Sequence, residues 1–403
     1  MIRAGDIILV LNAGSSSIKF EVFWSAAPDP VSRFSGQVEG IGAAPHFVAK
    51  DAGGTRLVDR RWDGADAPTN HAAALEVIIA WLEDAALAGR PVAAIGHRVV
   101  HGGPDLAKPI QLDAATLATL RGLIPLAPLH QPHNIAGIEA ATARYPGVPQ
   151  IACFDTAFHR SHAWEADTFA LPPEYYARGI RRYGFHGLSY EYIAARLAAE
   201  DPALGHGRLV VAHLGNGASL CAIDKGRSVD STMGFTALDG VPMGTRSGQI
   251  DPGVLLHLLD AEGMTTAQLA KFLYGGCGLK GMSGVSQDVR EIEAAIASGN
   301  DRAARALSHF AWRVRREIGA LAAALGGIDA LVFTAGIGEN ARALRAHICE
   351  GLGFLGIAID RDRNEANADE ISPPGAKVRV LVRRTDEELM IARHVLQRLG
   401  FGE

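Results

Sequence analysis

The sequence is poor in cysteine, has no basic excess and contains no long apolar run. Its four cysteines, Cys153, Cys221, Cys277 and Cys349, are widely spaced, and no C-x-x-C pair occurs in 403 residues. That excludes a disulfide-stapled scaffold and suits buried thiols in a reducing compartment. No stretch approaches the roughly 18 apolar residues of a membrane helix. The first apolar run, Ile7 to Leu11, is shorter than the roughly 7–15 apolar residues of a secretory leader. The expected address is the cytoplasm, with no membrane partner. Lysine plus arginine is 39 against 44 for aspartate plus glutamate, a net charge of -5, which argues against a nucleic-acid partner. Gly-Lys never occurs, so there is no Walker phosphate loop. Fifteen histidines invite a metal reading, yet no H-E-x-x-H occurs. His97-x-x-x-His101 falls on a strand-like run, and His130-x-x-His133 is interrupted by Pro132.

What the chain does have is glycine. Its 46 glycines are about 11% against an average of roughly 7%, which points to tight turns and close backbone-to-ligand approaches. The length suggests two or three domains at roughly 150 residues each. Residues 6–11 and 18–24 read as strands joined by a small polar turn, with Ile18, Phe20, Val22 and Trp24 on one face. Residues 71–88 have helical periodicity. A strand is expected over 93–100, helices near 113–122 and 134–144, and a strand over 150–154. Further on come strands over 208–214 and 220–224, a long helix over 303–325, and a strand over 330–334 whose turn opens another helix. Strands alternate with helices, so the class is α/β. The hairpin turns carrying Asn12 and Asn216 lie 204 residues apart, and two readings stay open: a duplicated domain, or two hairpins that look alike. No low-complexity linker marks a boundary.

Small-residue turns after strands suggest phosphate binding, because free backbone N–H groups point inward and nothing blocks an anion. Three occur, at 12–17, 215–219 and 335–340. Two G-x-G-x-x-G matches, at 276–281 and 351–356, follow helical sequence and read as accidental. Lys19 could reach phosphates held at the first turn, or be a solvated strand lysine.

Asn12-Ala13-Gly14-Ser15-Ser16-Ser17-Ile18-Lys19, the Gly96–Gly103 run with Arg98, Phe154-Asp155-Thr156-Ala157-Phe158-His159, Arg182-Tyr183-Gly184-Phe185-His186-Gly187, His213-Leu214-Gly215-Asn216-Gly217, Met243-Gly244-Thr245-Arg246-Ser247-Gly248 and Phe333–Asn340 together resemble the acetate kinase family. The matches keep the family's order and span nearly the whole chain. The resemblance implies two similar ribonuclease-H-like domains, the actin-like ATPase fold, with a nucleotide cleft between them. It also implies a homodimer, ATP and ADP as substrates, Mg2+ with Mn2+ as a substitute, and acetate or acetyl phosphate as the other partner. The expected domains are residues 1–155 with 386–403, holding the first phosphate hairpin and the acyl-substrate arginine, and 156–385, holding the second hairpin and the adenosine site.

The implied reaction is reversible transfer from ATP to acetate, which needs in-line positioning and positive charge rather than covalent chemistry. The resemblance gives Arg98 to the carboxylate and Arg246 to the phosphoryl group. It makes His186 a hydrogen-bond donor to that group. His130 is a second histidine of the substrate site or a structural one. Asp155 has a proton-transfer or orienting role; acetate is already ionised near pH 7, which favours orienting. Val100, Leu129, Phe185 and Ala237 would line the acyl pocket. Lys19, His213 to Gly217, Asp288, Val289, Arg290 and Gly336 to Asn340 would meet the nucleotide. Thr385-x-x-Glu388 matches a capping box, which accounts for Glu388 and leaves Glu387 unexplained; the resemblance places the magnesium-linked glutamate at Glu387, with Asn12 helping to hold the same ion.

Some positions depart from the family pattern. Ala237 stands where proline is usual, Leu188 and Tyr190 where threonine and histidine are usual, and Gln249 where aspartate is usual. The smaller Ala237 makes propionate kinase the alternative. A non-kinase ATPase switch of the same superfamily is the remote one.

Overall fold

The computed structural model describes residues 1–402 apart from 15, 63, 65 and 88; the sequence readings at Ser15 and Ala88, and the terminal Glu403, lie outside these. The chain forms two compact units, Met1–Phe158 with the segment from Asp386 onward, and His159–Thr385.

In the first unit the strands of the main sheet are β1 (Ile7–Ala13), β2 (Ser17–Trp24), β3 (Val31–Glu39), β4 (His46–Asp51), β5 (Arg56–Arg61), β6 (Val92–Val99), β7 (Ile110–Gln111) and β8 (Gln150–Phe154). They form one sheet in the order β5-β4-β3-β2-β1-β6-β8-β7. Apart from Asn12 and Gln150, β1 and β8 are runs of apolar residues, because both faces are covered. β2 buries Ile18, Phe20 and Val22 and exposes Lys19. Phe23 breaks that alternation and is also buried, just where the register with β3 shifts. Helix α1 (His71–Trp81) packs Leu75, Ile78 and Ile79 into this core and continues as a π-helical turn over Leu82–Ala86. Helix α2 (Gln131–Arg144) takes Pro132 into its first turn, where a missing N–H costs nothing. Pro132 therefore starts the helix rather than breaking it. The C-terminal helix, Glu387–Leu399, buries Ile391 and Val395 against the Gly96 backbone of β6.

In the second unit, after helix α3 (Gly187–Glu200), come β9 (Arg208–Leu214), β10 (Ala218–Asp224) and β11 (Arg227–Ser231). Helices α4 (Pro252–Asp260), α5 (Thr266–Gly275), α6 (Val289–Ala297) and α7 (Asp301–Ala324) follow, then β12 (Ala330–Thr334), helix α8 (Ala335–Asn340) and β13 (Arg379–Val382). The sheet order is β11-β10-β9-β12-β13.

The two sheets share a plan. β3-β2-β1-β6-β8 and β11-β10-β9-β12-β13 each place an antiparallel meander beside two parallel strands. This is the ribonuclease-H-like arrangement of the actin-like ATPases, built twice. The repeat is not the one the asparagines suggest. Asn12 pairs with Lys19 as His213 pairs with Ser219, and the glycine after each first strand, Gly14 or Gly215, donates to the residue closing the turn. Asn12 therefore corresponds to His213, an offset of 201 rather than 204, and Lys19 to Ser219. The first turn is one residue longer than the second, so aligning the asparagines slips the strands.

Candidate active site

In the first unit, β1, β6 and β8 end side by side and bring their last residues together. Arg98 donates from Nε to Asp155 Oδ1 at 2.9 Å and from Nη2 to Asp155 Oδ2 at 2.6 Å. Its Nη1 lies 3.4 Å from Asn12 Oδ1 and its Nε 3.4 Å from Glu387 Oε2. Lys19 stands opposite Asn12 on the hairpin. Burial opposes the charge on Arg98, but Asp155 and Glu387 outweigh it and hold the guanidinium protonated. Burial first, then Asp155 and Glu388, pushes the Glu387 carboxyl up to about 7 against the pull of Arg98 and Lys19.

The capping box expected at Thr385 is absent. Asp386 is the N-cap, accepting from Leu389 N at 2.8 Å. The Thr385 hydroxyl instead donates to Ser189 Oγ at 2.8 Å. Glu388 thus has no capping duty; it lies with Glu21 and Asp386 in a half-buried group whose ligand atoms fall within 4.8 Å of one another. Val100 is buried, and its N–H donates to Asn134 Oδ1 at 2.9 Å while Asn134 Nδ2 donates to Ala13 O at 2.7 Å. Asn134, missed in the sequence reading, thereby ties the β1 end to the β6 end. His130 is the residue that starts α2, and Leu129 beside it is exposed.

In the second unit, three expected residues meet at the β9–β10 turn. A Cβ placed on Gly217 would lie 3.4 Å from His186 Nε2 and 3.8 Å from Arg246 Nη1. His186 holds a left-handed backbone, φ 59°, at the start of α3. Its ring stacks on His213 with centroids 4.2 Å apart and planes 16° from parallel. Arg246 Nη1 donates to Ala237 O at 3.1 Å. Phe185 is buried and its carbonyl accepts from His159 Nε2 at 3.0 Å.

Beside that turn is a cavity of about 710 Å³, lined by Gly215, Asn216, Gln287, Asp288, Val289, Arg290, Glu293, Gly336, Ile337, Asn340 and Ala341. Its size fits a small organic ligand. Three sequence segments expected at the nucleotide converge on it. Asp288 caps α6 through Arg290 N and pairs with the exposed Arg290 guanidinium, which keeps its carboxyl below the usual range. Gln287 and Glu293, which the sequence reading missed, join the lining. Of the expected residues in these segments, His213, Leu214, Gly217, Gly338 and Glu339 do not line it. The expected turn at 335–340 is a short helix entered through Ala335 at φ 64°. Buried Arg345 braces it from behind, donating from Nη1 to Gly338 O at 2.9 Å and to Glu339 O at 2.8 Å. Burial lowers that guanidinium to about 10, so it stays charged at neutral pH.

The family model of the acetokinases matches residues 7–393. The chain belongs to the acetokinase family. It is 51% identical to an acetate kinase of Nitrobacter hamburgensis over 395 residues, 98% of this chain and 96% of that protein. The crystal structure of Porphyromonas gingivalis acetate kinase superposes with a TM-score of 0.88 at 39% identity, covering 98% of this chain and all of the other. A propionate kinase from Francisella tularensis gives 0.89 at 35% identity, covering 96% and 98%. The positions where this acetokinase departs from the usual pattern have plain contacts. Tyr190 OH lies 2.5 Å from Ser219 Oγ, Leu188 is buried, and Gln249 Oε1 accepts from Arg313 Nη2 at 3.2 Å.

Proposed function

We propose that this chain is an acetate kinase, transferring phosphoryl between ATP and acetate to give acetyl phosphate and ADP. The observation that carries the reading is the meeting of His186 Nε2 and Arg246 Nη1 at Gly217, next to a cavity of nucleotide size. A guanidinium and an imidazole N–H aimed at one glycine turn suit the equatorial oxygens of a transferring phosphoryl group. Arg98 receives the acetate carboxylate. Asp155 occupies its Nε–Nη2 edge, so the fork is fixed, and Nη1, whose one contact among the described residues is the long one to Asn12 Oδ1 at 3.4 Å, would be the nitrogen that meets the anion. This supports an orienting role for Asp155. Residues 1–155 with 386–403 would serve the acyl substrate and metal, and 156–385 the nucleotide.

Asn12 and Glu387 fit a magnesium ion. They offer hard oxygens, and half-buried Glu387, its carboxyl raised by desolvation first and then by Asp155 and Glu388, has negative neighbours that a divalent ion would offset. When bound, Mg2+ or Mn2+ would neutralise charge on the nucleotide phosphates. Lys19, on the same face as Asn12, adds a third cationic contact.

A second reading, propionate kinase, is favoured by one observation, the small Ala237 whose carbonyl holds Arg246. The cytoplasm is the proposed compartment; Cys153, Cys221 and Cys349 are buried thiols outside any disulfide, and no helix of the described residues is long and apolar enough to cross a membrane. The proposed homodimer is supported by α4, a Pro-Gly-Val-Leu-Leu-His-Leu-Leu-Asp helix with no buried residue. Trapping acyl phosphate as hydroxamate, with acetate, propionate and butyrate compared, tests the activity. Acetate should turn over fastest; formation from none of the three overturns the reading.

A further inference from the structure

The stacked rings of His186 and His213 have the same backing. His186 Nδ1 lies 2.8 Å from Ser219 Oγ, which is 2.5 Å from the Tyr190 hydroxyl. His213 Nδ1 lies 2.8 Å from Ser189 Oγ, which accepts from Thr385 Oγ1 at 2.8 Å. Tyr190, Ser219 and Ser189 have no exposed surface. The outer nitrogens also match. His186 Nε2 faces Gly217, and a Cβ on Gly215 would lie 4.0 Å from His213 Nε2.

A hydroxyl has one proton, so a serine that accepts from a second hydroxyl directs its own proton elsewhere. Here the next neighbour is an imidazole Nδ1. A neutral imidazole that accepts at Nδ1 carries its proton on Nε2. Two stacked rings at this spacing would repel if both were cationic, so a device that keeps each neutral and still a donor solves a real problem.

We propose that Tyr190 and Ser219 form a hydroxyl relay that holds His186 as the neutral tautomer with its proton on Nε2, and that Thr385 and Ser189 do the same for His213. All four are positioning residues: they act through the imidazoles, not on substrate. The relay gives Tyr190, a departure from the usual family residue, a specific task. It rests on the reading of His186 as a donor to the phosphoryl group.

The test is nitrogen-15 NMR of the histidine side chains in the full chain, with His186→Gln and His213→Gln used for assignment. The wild-type spectrum should show both rings protonated on Nε2 and unprotonated on Nδ1. Tyr190→Phe, which keeps the ring, should mix the His186 tautomers and leave His213 unchanged. Its kcat should fall about tenfold with KM for ATP and acetate within about twofold. Ser219→Ala should lose roughly a hundredfold in kcat, and Ser219→Thr should recover most of it. A wild-type His186 protonated on Nδ1 overturns the relay, whatever the variants do. So does a Tyr190→Phe protein with unchanged tautomer and unchanged kcat. If the wild type shows the expected tautomers but makes no acetyl phosphate, the relay stands and the kinase reading fails.

Discussion

In the proposed reaction Arg98 serves as the anion hook, and Asp155 aims it. Two charge-assisted bonds to one buried carboxylate fix the guanidinium plane, and an amide cannot replace both. Asp155→Asn should therefore cost about 2 kcal/mol, roughly thirtyfold in kcat/KM for acetate, with KM for ATP little changed. Steady-state kinetics with each substrate varied will show it, and full turnover by the variant refutes the role. Two other buried residues should contribute to acid sensitivity. Burial lowers His97 to about 4, despite its bond to Gln150, and His159 to about 3. Both folded values lie below the unfolded 6.5. Their contribution is thus complete above that pH and is lost as pH falls toward 4. Each should steepen the loss by about 1.4 kcal/mol per pH unit in that window. Denaturant midpoints at pH 7.5 and 5 should differ accordingly, and a His97→Asn variant should show a shallower dependence.

At the scale of the element, the turns that carry the proposed site were the hardest to read. A Cβ on Gly244 would fall 2.1 Å from Asn216 Oδ1, and Gly244 N donates to Asn216 O. Gly244→Ala should push the β9–β10 turn out of place and raise KM for ATP about tenfold or more, measured against an unchanged melting transition. The buried strands were legible in sequence. β1, β9 and β12 are covered on both faces, so their apolar runs are continuous, and they fall close to the expected spans. The strands over 31–61 were not, because β5 is an exposed edge of Arg, Asp and Leu without alternation. The cap of the C-terminal helix was misread for another reason. Thr385 and Asp386 both suit an N-cap, and only the fold shows the Thr385 hydroxyl engaged by Ser189. Of the residues behind the site, Asn134 and Ser219 meet their partners across long sequence separations with no local motif to flag them, and Arg345 reaches the Gly338 and Glu339 carbonyls from the next helix, a contact that no side-chain pattern announces.

For the whole molecule, the apolar α4 surface bears on assembly. Val254 and Leu256 are exposed on it and Phe272 on the neighbouring α5. Leu256→Glu should convert a dimer to a monomer in sedimentation equilibrium; a wild-type chain that sediments as a monomer contradicts the proposal. The central claim concerns the reaction itself. The direct measurement is hydroxamate trapped from ATP, Mg2+ and acetate by the wild type and by Arg98→Ala and Arg246→Ala. The account predicts rapid formation by the wild type and a loss of roughly a hundredfold or more in kcat/KM for each variant. Wild-type levels of product from either variant, or no product from the wild type, would contradict it.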